Sequence, residues 1–335
     1  MMRVGIPRAL LYYQYLPMWE TFFQRMGAEV VVSSATTKEV LSSGSSRVVA
    51  ETCLPVKVFC GHVISLIGKC DYMFIPAIRS VDKRVYNCSK FLGLPDMTRA
   101  VIPECPPILD MDIDVTKGKH ELYQSIYKLG RHFTWNPMKV KEAAEAAWQA
   151  HLAYLQEMRT LRLTPLEAMR RRLSPPEEGP RVKEKDHTPP WATIALIGHP
   201  YLIYDEYVNH RLITRLQRMG IRVLTPEMVS KDEIDAAIAK LVGQPYWTYE
   251  EEVVGAGGHY LESGADGVIG ALAFGCGPDS VMMDMVQRHA KKHRATPFMS
   301  ITIDEHTAEA GMVTRLEAFL DMIQRRKRDK VKICA

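Results

Sequence analysis

The sequence lacks two kinds of segment that would place it outside the cytoplasm. No stretch reaches the 18 or more apolar residues of a membrane-spanning helix. Residues 1–5 lead into a strand and lack the apolar core and cleavage site of a signal peptide. We therefore expect a cytoplasmic protein whose thiols stay reduced.

Two short motifs are also missing. There is no Cys-x-x-Cys pair, so cysteine spacing alone gives no metal signature, and there is no Gly-rich phosphate loop of the Walker type. Seven cysteines in a reducing compartment still favour metal binding or catalysis over disulfides. The net charge is only +4, and much of the excess could come from residues 325–328, which are typical of a solvated helix end. We expect no nucleic-acid partner.

The chain of 335 residues suits two α/β lobes. Hydrophobic periodicity predicts alternating strands and helices in both halves, which indicates an α/β fold with mostly parallel sheets. In the first lobe the predicted strands are 2–6, 29–33 and 72–75, and the predicted helices are 18–26, with Pro17 at its first turn, and 55–68. In the second lobe the predicted strands are 193–197, 221–224, 267–274 and 298–303, and the predicted helices are 206–219, 280–293 and 313–326.

The region between the lobes has a different composition. Residues 138–172 are rich in Ala, Glu, Leu, Lys and Arg, which favours helix. Residues 174–190 carry five prolines and many charges, which predicts an exposed linker. The predicted domains are a first lobe at 1–115, a helical segment with its linker at 116–190, and a second lobe at 191–335.

The two halves share residues at one fixed offset. Residues 24–27, Gln-Arg-Met-Gly, recur at 217–220, and the Gly-x-Pro at 5–7 recurs at 198–200. Both matches are 193 positions apart. The pattern predicts an internal duplication, with chance convergence of a common helix-stop pattern as the alternative.

Three cysteines are predicted at one edge of these sheets. Cys276 follows the strand at 267–274, Cys88 lies in the loop after the strand at 72–75, and Cys53 precedes the helix that begins near Pro55. Crossover helices run antiparallel to the strands, so their N-termini lie at the carboxyl edge, where ligands bind. A helix N-terminus favours the thiolate, which is the metal-binding form. The three thiols form a candidate metal site, with incidental or buried cysteines as the alternative.

The remaining cysteines give weaker signals. Cys60 and Cys70 are predicted to be buried, and Cys334 lies in a tail. Cys105 lies between prolines and is a candidate fourth ligand. Zinc is an alternative metal, because His62, His199 and His306 could complete a tetrahedral set.

Polar side chains are also predicted at the carboxyl edge. Glu305 and His306 follow the last strand and are candidate catalytic residues. Arg8 follows the first strand of the first lobe, and His199 and Tyr201 follow the first strand of the second lobe, as candidate substrate-binding residues. The alternative for the segment at 304–307 is helix capping by its Asp or Thr.

Several segments resemble a known family. They are GIPRAL at 5–10, CLPVK at 53–57, KFLGLPD at 90–96, FGCGPDS at 274–280, DEHT at 304–307 and EAG at 309–311. Together they resemble the activase-related proteins of the 2-hydroxyacyl-CoA dehydratase system. That family is similar to the dehydratase subunits and to the double-cubane cluster proteins, which implies two Rossmann-like lobes with doubly wound, mostly parallel sheets, joined by a helical segment.

The resemblance implies a [4Fe–4S] cluster, or a larger iron–sulfur cluster, held by Cys53, Cys88 and Cys276 in a cleft between the lobes. It also implies anaerobic metabolism and the reduction or dehydration of a small or acyl-CoA substrate. The implied partner is an ATP-dependent activase or another low-potential electron donor, and a homodimer is a candidate assembly. The alternatives are a non-enzymatic electron-transfer or cluster-carrying protein, and a zinc-binding or structural scaffold.

Two departures from the family pattern affect these expectations. Where Cys-Pro-Lys-Phe is expected, the chain has Cys88-Ser89-Lys90-Phe91, which keeps the cysteine. The ATP-binding signature of the actin-like activase itself is missing, so we expect no ATPase activity.

Overall fold

A computed structural model describes residues 1–83, 85–173, 189–293 and 296–334. The chain forms two compact units, one of Met1–Gly179 with Gln244–Glu250 and one of Pro180–Gly243 with Glu251–Ala335. Most of the linker predicted at 174–190 lies outside the described residues. No described helix is both long enough and apolar enough to cross a membrane.

The first unit begins with alternating strands and helices and continues into a group of helices. Its elements are β1 Arg3–Ile6, α1 Tyr12–Arg25, β2 Glu29–Val32, α2 Lys38–Ser45, α3 Leu54–Leu66, β3 Tyr72–Phe74, β4 Ala77–Ser80, α4 Ser89–Leu92, α5 Leu94–Val101, β5 Ile108–Leu109, β6 Asp112–Asp114, α6 Lys119–Gly130, α7 Pro137–Leu161 and α8 Pro165–Leu173.

The main sheet of this unit has the order β2-β1-β3-β5, and all its strands are parallel. Val4, Ile6 and Met73 of the central strands are buried, as expected for a sheet covered by helices. The two-stranded sheet of β4 and β6 follows β3 and β5 in the chain and is parallel as well. In this order the first strand lies between the second and the third, so β1 and β3 flank the switch point at which α/β sheets bind ligands.

The helix predicted at 18–26 begins earlier than expected, because Pro17 lies inside α1. Proline lacks the N–H that would bond to the carbonyl of Tyr13, one turn earlier. The hydroxyl of Tyr154 on α7 donates to that carbonyl instead, at 2.8 Å. A side chain from the helical segment therefore satisfies the acceptor that Pro17 leaves open.

The second unit contains the remaining strands. Its elements are β7 Ala192–Ile197, α9 Pro200–Ile203, α10 Leu212–Arg218, β8 Ile221–Leu224, α11 Lys231–Leu241, α12 Ala256–Glu262, β9 Gly267–Ala273, α13 Gly277–His293, β10 Phe298–Ile303 and α14 Glu309–Cys334. A short π-helix at Glu251–Gly255 precedes α12. The sheet order is β10-β9-β7-β8, and every pair is parallel.

The predicted α/β class with parallel sheets is confirmed, and each predicted strand lies within one residue of its expected bounds. The helix predicted at 206–219 is wrong in its first half, because α10 begins only at Leu212. The amide of Asn209 explains the delay. Its nitrogen donates to the carbonyls of Leu202 and Ile203, and its oxygen accepts from the N–H of Leu212.

The two main sheets have matching strand orders, since each places its first strand between its second and third. Gly27 and Gly220 both end a helix ahead of the second strand, with φ of 85° and 75°. The duplication nevertheless stays a prediction, because the other predicted match differs in register.

Gly5 does not correspond to Gly198. Gly5 pairs with Val31, four residues after the helix-ending glycine of its unit. In the second sheet the residue at the same register, opposite Leu224, is Ala195. The connection between the first two strands is longer in the second unit, so one constant offset cannot hold for both matches.

Candidate functional site

Cys53 occupies the residue directly before α3. Its backbone is extended, with φ −61° and ψ 146°, and its carbonyl accepts from the N–H groups of Val56 and Lys57. Pro55 favours a helix start at this point, because its missing N–H would have no partner in the first turn. The half-buried thiol therefore lies at the positive end of a helix dipole, which favours the thiolate.

Cys88 occupies the same kind of position, directly before α4. The preceding Asn87 is buried and anchors the loop, since its side chain donates to the carbonyl of Ile78 and its backbone N–H to that of Arg79. Tyr86 forms a parallel bridge with Trp247. The loop that presents Cys88 is therefore fixed from two sides.

The helices that follow these two cysteines meet at the switch point of the first sheet. Phe59 of α3 and Phe91 of α4 line one small cavity together with Pro7 and Pro76. Pro7 directly follows β1, and Pro76 lies two residues after β3. The structure thus brings α3 and α4 to the carboxyl edge predicted for Cys53 and Cys88.

Lys57 is a residue that the sequence did not single out. It lies one helical turn after Cys53, its side chain is buried, and Nζ donates to the carbonyl of Ala50 at 2.8 Å. This contact ties α3 to the loop that precedes Cys53. The ammonium also adds positive charge at the end of the helix that carries the thiol.

Arg8 and His62 belong to a network at the same edge. The Arg8 N–H donates to Ser33 Oγ, which lies 2.9 Å from Nδ1 of His62, while Thr36 Oγ1 lies 2.9 Å from Nε2. Burial, and secondly the charge of Arg8, lowers the pKa of His62 to about 4. Since hydroxyls contact both ring nitrogens, His62 orders the loops after β1 and β2 and is poorly suited to bind zinc.

Cys276 follows β9 and directly precedes α13 in the second unit. Gly275 has φ 77°, which turns the chain sharply out of the strand. The Cys276 carbonyl accepts from both the N–H and the hydroxyl of Ser280, and its own N–H donates to the carbonyl of Ala273. The third predicted thiol therefore shares the position of the other two at a helix start.

A buried pair joins the ends of β7 and β9. Nδ1 of His199 contacts Asp279 Oδ1, and the other oxygen of that carboxylate accepts from the N–H of Ala273 at 2.8 Å. Tyr201 stacks on the imidazole, with ring centroids 4.9 Å apart and an interplanar angle of 10°. The sequence suggested His199 and Tyr201 but missed Asp279, because an acid in a first helical turn resembles an ordinary cap.

The segment after β10 forms a turn that its own side chains close, and the hydrogen bonds of Asp304 and Thr307 lie within this turn, before α14 begins. Asp304 accepts from the His306 N–H and from the Thr307 hydroxyl, and the Asp304 N–H donates to Thr307. His306 is exposed and Glu305 is half-buried. The catalytic roles predicted for Glu305 and His306 stay predictions.

The other described cysteines lie elsewhere. Cys60 is inside α3, and burial raises its pKa to about 11. Cys70 and Cys105 precede β3 and β5, so they lie at the amino edge of the sheet. Burial, with contributions from Cys70 and Glu104, raises the pKa of Cys105 to about 12, which disfavours the thiolate. This position does not suit a fourth ligand at the carboxyl edge.

Each of the three predicted thiols is partly exposed at a helix start, and thiolates are the protein ligands that iron–sulfur clusters use. Cys53 and Cys88 belong to the first unit and Cys276 to the second. Among the described residues, no group of three or more His, Cys, Asp or Glu side chains is arranged to hold a metal ion.

Comparison with known families places this chain. Residues 3–229 match the model described as the CoA enzyme activase uncharacterised domain. The chain belongs to this family. The matched region of the family domain includes Cys53, Cys88 and His199 and ends before Cys276. No curated protein matches the chain.

Proposed function

We propose that this member of the CoA enzyme activase domain family is an iron–sulfur protein whose cluster is bound by Cys53, Cys88 and Cys276. Its proposed activity is the low-potential reduction or dehydration of a small or CoA-linked substrate. The observation that supports the proposal most is a shared position. Each of these thiols lies on the residue directly before a helix, whereas Cys60, Cys70 and Cys105 do not.

This position has a chemical consequence. The first N–H groups of a helix have no partner inside it, and they can donate to a thiolate or to a cluster sulfide. At Cys53 and Cys276, which precede helices of 13 and 17 residues, the helix dipole also stabilises the negative charge of the thiolate. When bound, a [4Fe–4S] cluster would supply single electrons, and an iron without a thiolate ligand would act as a Lewis acid.

The second unit contributes a proton-handling pair to this proposal. Nδ1 of His199 contacts the buried carboxylate of Asp279, which orients the imidazole. Tyr201 holds the plane of the imidazole. We assign His199 to binding the substrate or moving its proton, with Asp279 as its positioning residue. Arg8 is the proposed anion-binding group of the first unit.

The family description supports an activator or a CoA-linked enzyme as partner. An ATP-dependent activase or another low-potential donor would deliver the electrons. We further propose that the two lobes arose by duplication, which the matching strand orders and the glycines at 27 and 220 support.

Anaerobic purification and reconstitution test the proposed function. We expect a brown protein with broad visible absorption and about four iron and four sulfide per chain. The absorption should bleach on reduction with dithionite. A colourless protein that holds zinc and no sulfide after reconstitution contradicts the proposal.

A further inference from the structure

Two apolar cavities lie in the first unit, and they share walls. The smaller cavity, of about 20 Å³, is at the switch point between the ends of β1 and β3. The larger one, of about 90 Å³, lies between α1, α6 and α7. Trp19 and Phe74 line both of them. Their rings meet edge to face with centroids 5.2 Å apart, and this aromatic pair lines both spaces.

The lining of the larger cavity is uniformly hydrophobic. It combines the aromatic side chains of α1 with Ile126 and Leu129 of α6 and with Ala144 and Ala147 of α7. The two alanines leave the space open, because a larger side chain at either position would project into it. A cavity with such walls offers water no hydrogen-bond partners, so it either stays dry or takes an apolar group.

The smaller cavity lies between the shared aromatic wall and the candidate site. Its walls include Phe59 and Phe91, which belong to the helices that begin directly after Cys53 and Cys88. A group that entered at the carboxyl edge would therefore pass between these two helices. Its apolar end would then point towards Trp19 and Phe74.

We propose that the two cavities form one site for a short, unbranched aliphatic chain whose polar head stays at the carboxyl edge of β1 and β3. The size supports a chain over a ring, since about 90 Å³ is well below the roughly 150 Å³ that accepts benzene. The polar head stays outside because the walls offer it no hydrogen bonds. The proposed site lies entirely within the first unit and does not require the cluster.

A homologous series of probes tests this site on the cluster-free full chain. Straight-chain carboxylates and 1-alkanols from three to eight carbons are titrated by calorimetry, together with branched isomers. We expect the affinity to rise about fourfold per methylene and then level off once the chain fills the space. The two series distinguish an anionic from a neutral head. Affinity that is independent of length, that rises without a limit, or that is equal for branched isomers overturns the proposal.

Filling the cavity provides the matched test. Ala147→Leu should abolish the length dependence while the melting temperature stays level or rises, because the new side chain occupies existing space. Ala153→Leu, at an exposed position of the same helix, should leave binding unchanged. Phe22→Leu enlarges the same cavity and should move the limit to longer chains. The proposal is wrong if the Ala147→Leu variant binds the probes with the native length dependence. It is also wrong if, in Phe22→Leu, the affinity levels off at the same probe length as in the native protein.

Discussion

His199 and Asp279 form a pair that is almost completely shielded from water, with side-chain exposures of 4% and 1%. The histidine follows β7 and the aspartate lies in the first turn of α13, which follows β9. The same carboxylate accepts from the N–H of Ala273. One acidic side chain therefore fixes both the imidazole and the chain that leads to Cys276.

Removing this carboxylate should be costly. We expect Asp279→Ala to lower the free energy of unfolding in urea by about 3 to 5 kcal/mol, because it leaves a buried imidazole and a backbone donor without their acceptor. Asp279→Asn should cost less, since its amide oxygen can still accept. Asp284 pairs with Arg288 on the exposed face of α13, and Asp284→Ala should cost at most about 1 kcal/mol. Equal losses for Asp279→Ala and Asp284→Ala contradict the assigned role.

His62 should make the protein acid-sensitive. Its pKa is about 4 in the folded state, mainly through burial, and 6.5 is its ordinary value. Between these two pH values the unfolded chain binds a proton at His62 that the folded chain does not bind. The contribution of His62 to the free energy of unfolding is therefore complete above pH 6.5 and is lost as the pH falls towards 4. We expect a loss of about 3 kcal/mol across this window. The free energy of unfolding of His62→Asn and of the native chain is measured in urea between pH 4 and pH 8, and the difference between them should shrink as the pH falls through this window. A difference that stays constant with pH would contradict the role of His62.

Glu252 should have the opposite pH dependence. Burial raises its pKa to about 7, with smaller contributions from Glu251 and Glu227, against an ordinary value of 4.5. The folded state binds the proton of Glu252 more tightly than the unfolded state does. The resulting contribution to the free energy of unfolding is complete below pH 4.5 and is lost as the pH rises through 7. Glu252→Gln should therefore stabilise the protein at pH 8, by up to about 3 kcal/mol, and change little at pH 4. Glu317→Gln at an exposed site is the control, and equal effects of the two variants would refute the assignment.

The helix that carries Cys53 depends on a close backbone contact. A Cβ at Gly61 of α3 would lie 1.8 Å from the Val40 carbonyl oxygen of α2. We expect Gly61→Ala to force the helices apart and to destabilise the protein by about 1 to 3 kcal/mol. Gly311 in α14 has open space, so Gly311→Ala should stabilise by up to about 1 kcal/mol. The melting temperatures of the two variants are compared with that of the native chain. An unchanged melting temperature for Gly61→Ala would exclude the tight contact.

Local patterns in the sequence predict much of this architecture. Short apolar runs such as those of β7 and β10 locate the strands, and Pro55 marks the start of α3. The helix starts in turn place Cys53, Cys88 and Cys276. The carboxyl-edge position of Cys53 and Cys88 follows from the alternation of strands and helices, which local patterns specify well.

Local sequence patterns do not predict contacts between residues that are far apart in the chain. Pro17 reads as a helix start because nothing near it indicates that Tyr154 will satisfy the Tyr13 carbonyl. Asp279 reads as a cap because its partner His199 lies 80 residues earlier. The pairing of Tyr86 with Trp247 uses backbone groups, which any side chain would allow.

The central claim is that Cys53, Cys88 and Cys276 hold the cluster, and single serine substitutions test it most directly. Each variant is reconstituted anaerobically, and its iron and sulfide are measured against the native chain. Serine at any of the three positions should lower both sharply, while Cys60→Ser, Cys70→Ser and Cys105→Ser should leave them unchanged. The account is contradicted if loss of any one of the three thiols leaves iron and sulfide at native levels, or if Cys105→Ser removes the cluster as completely.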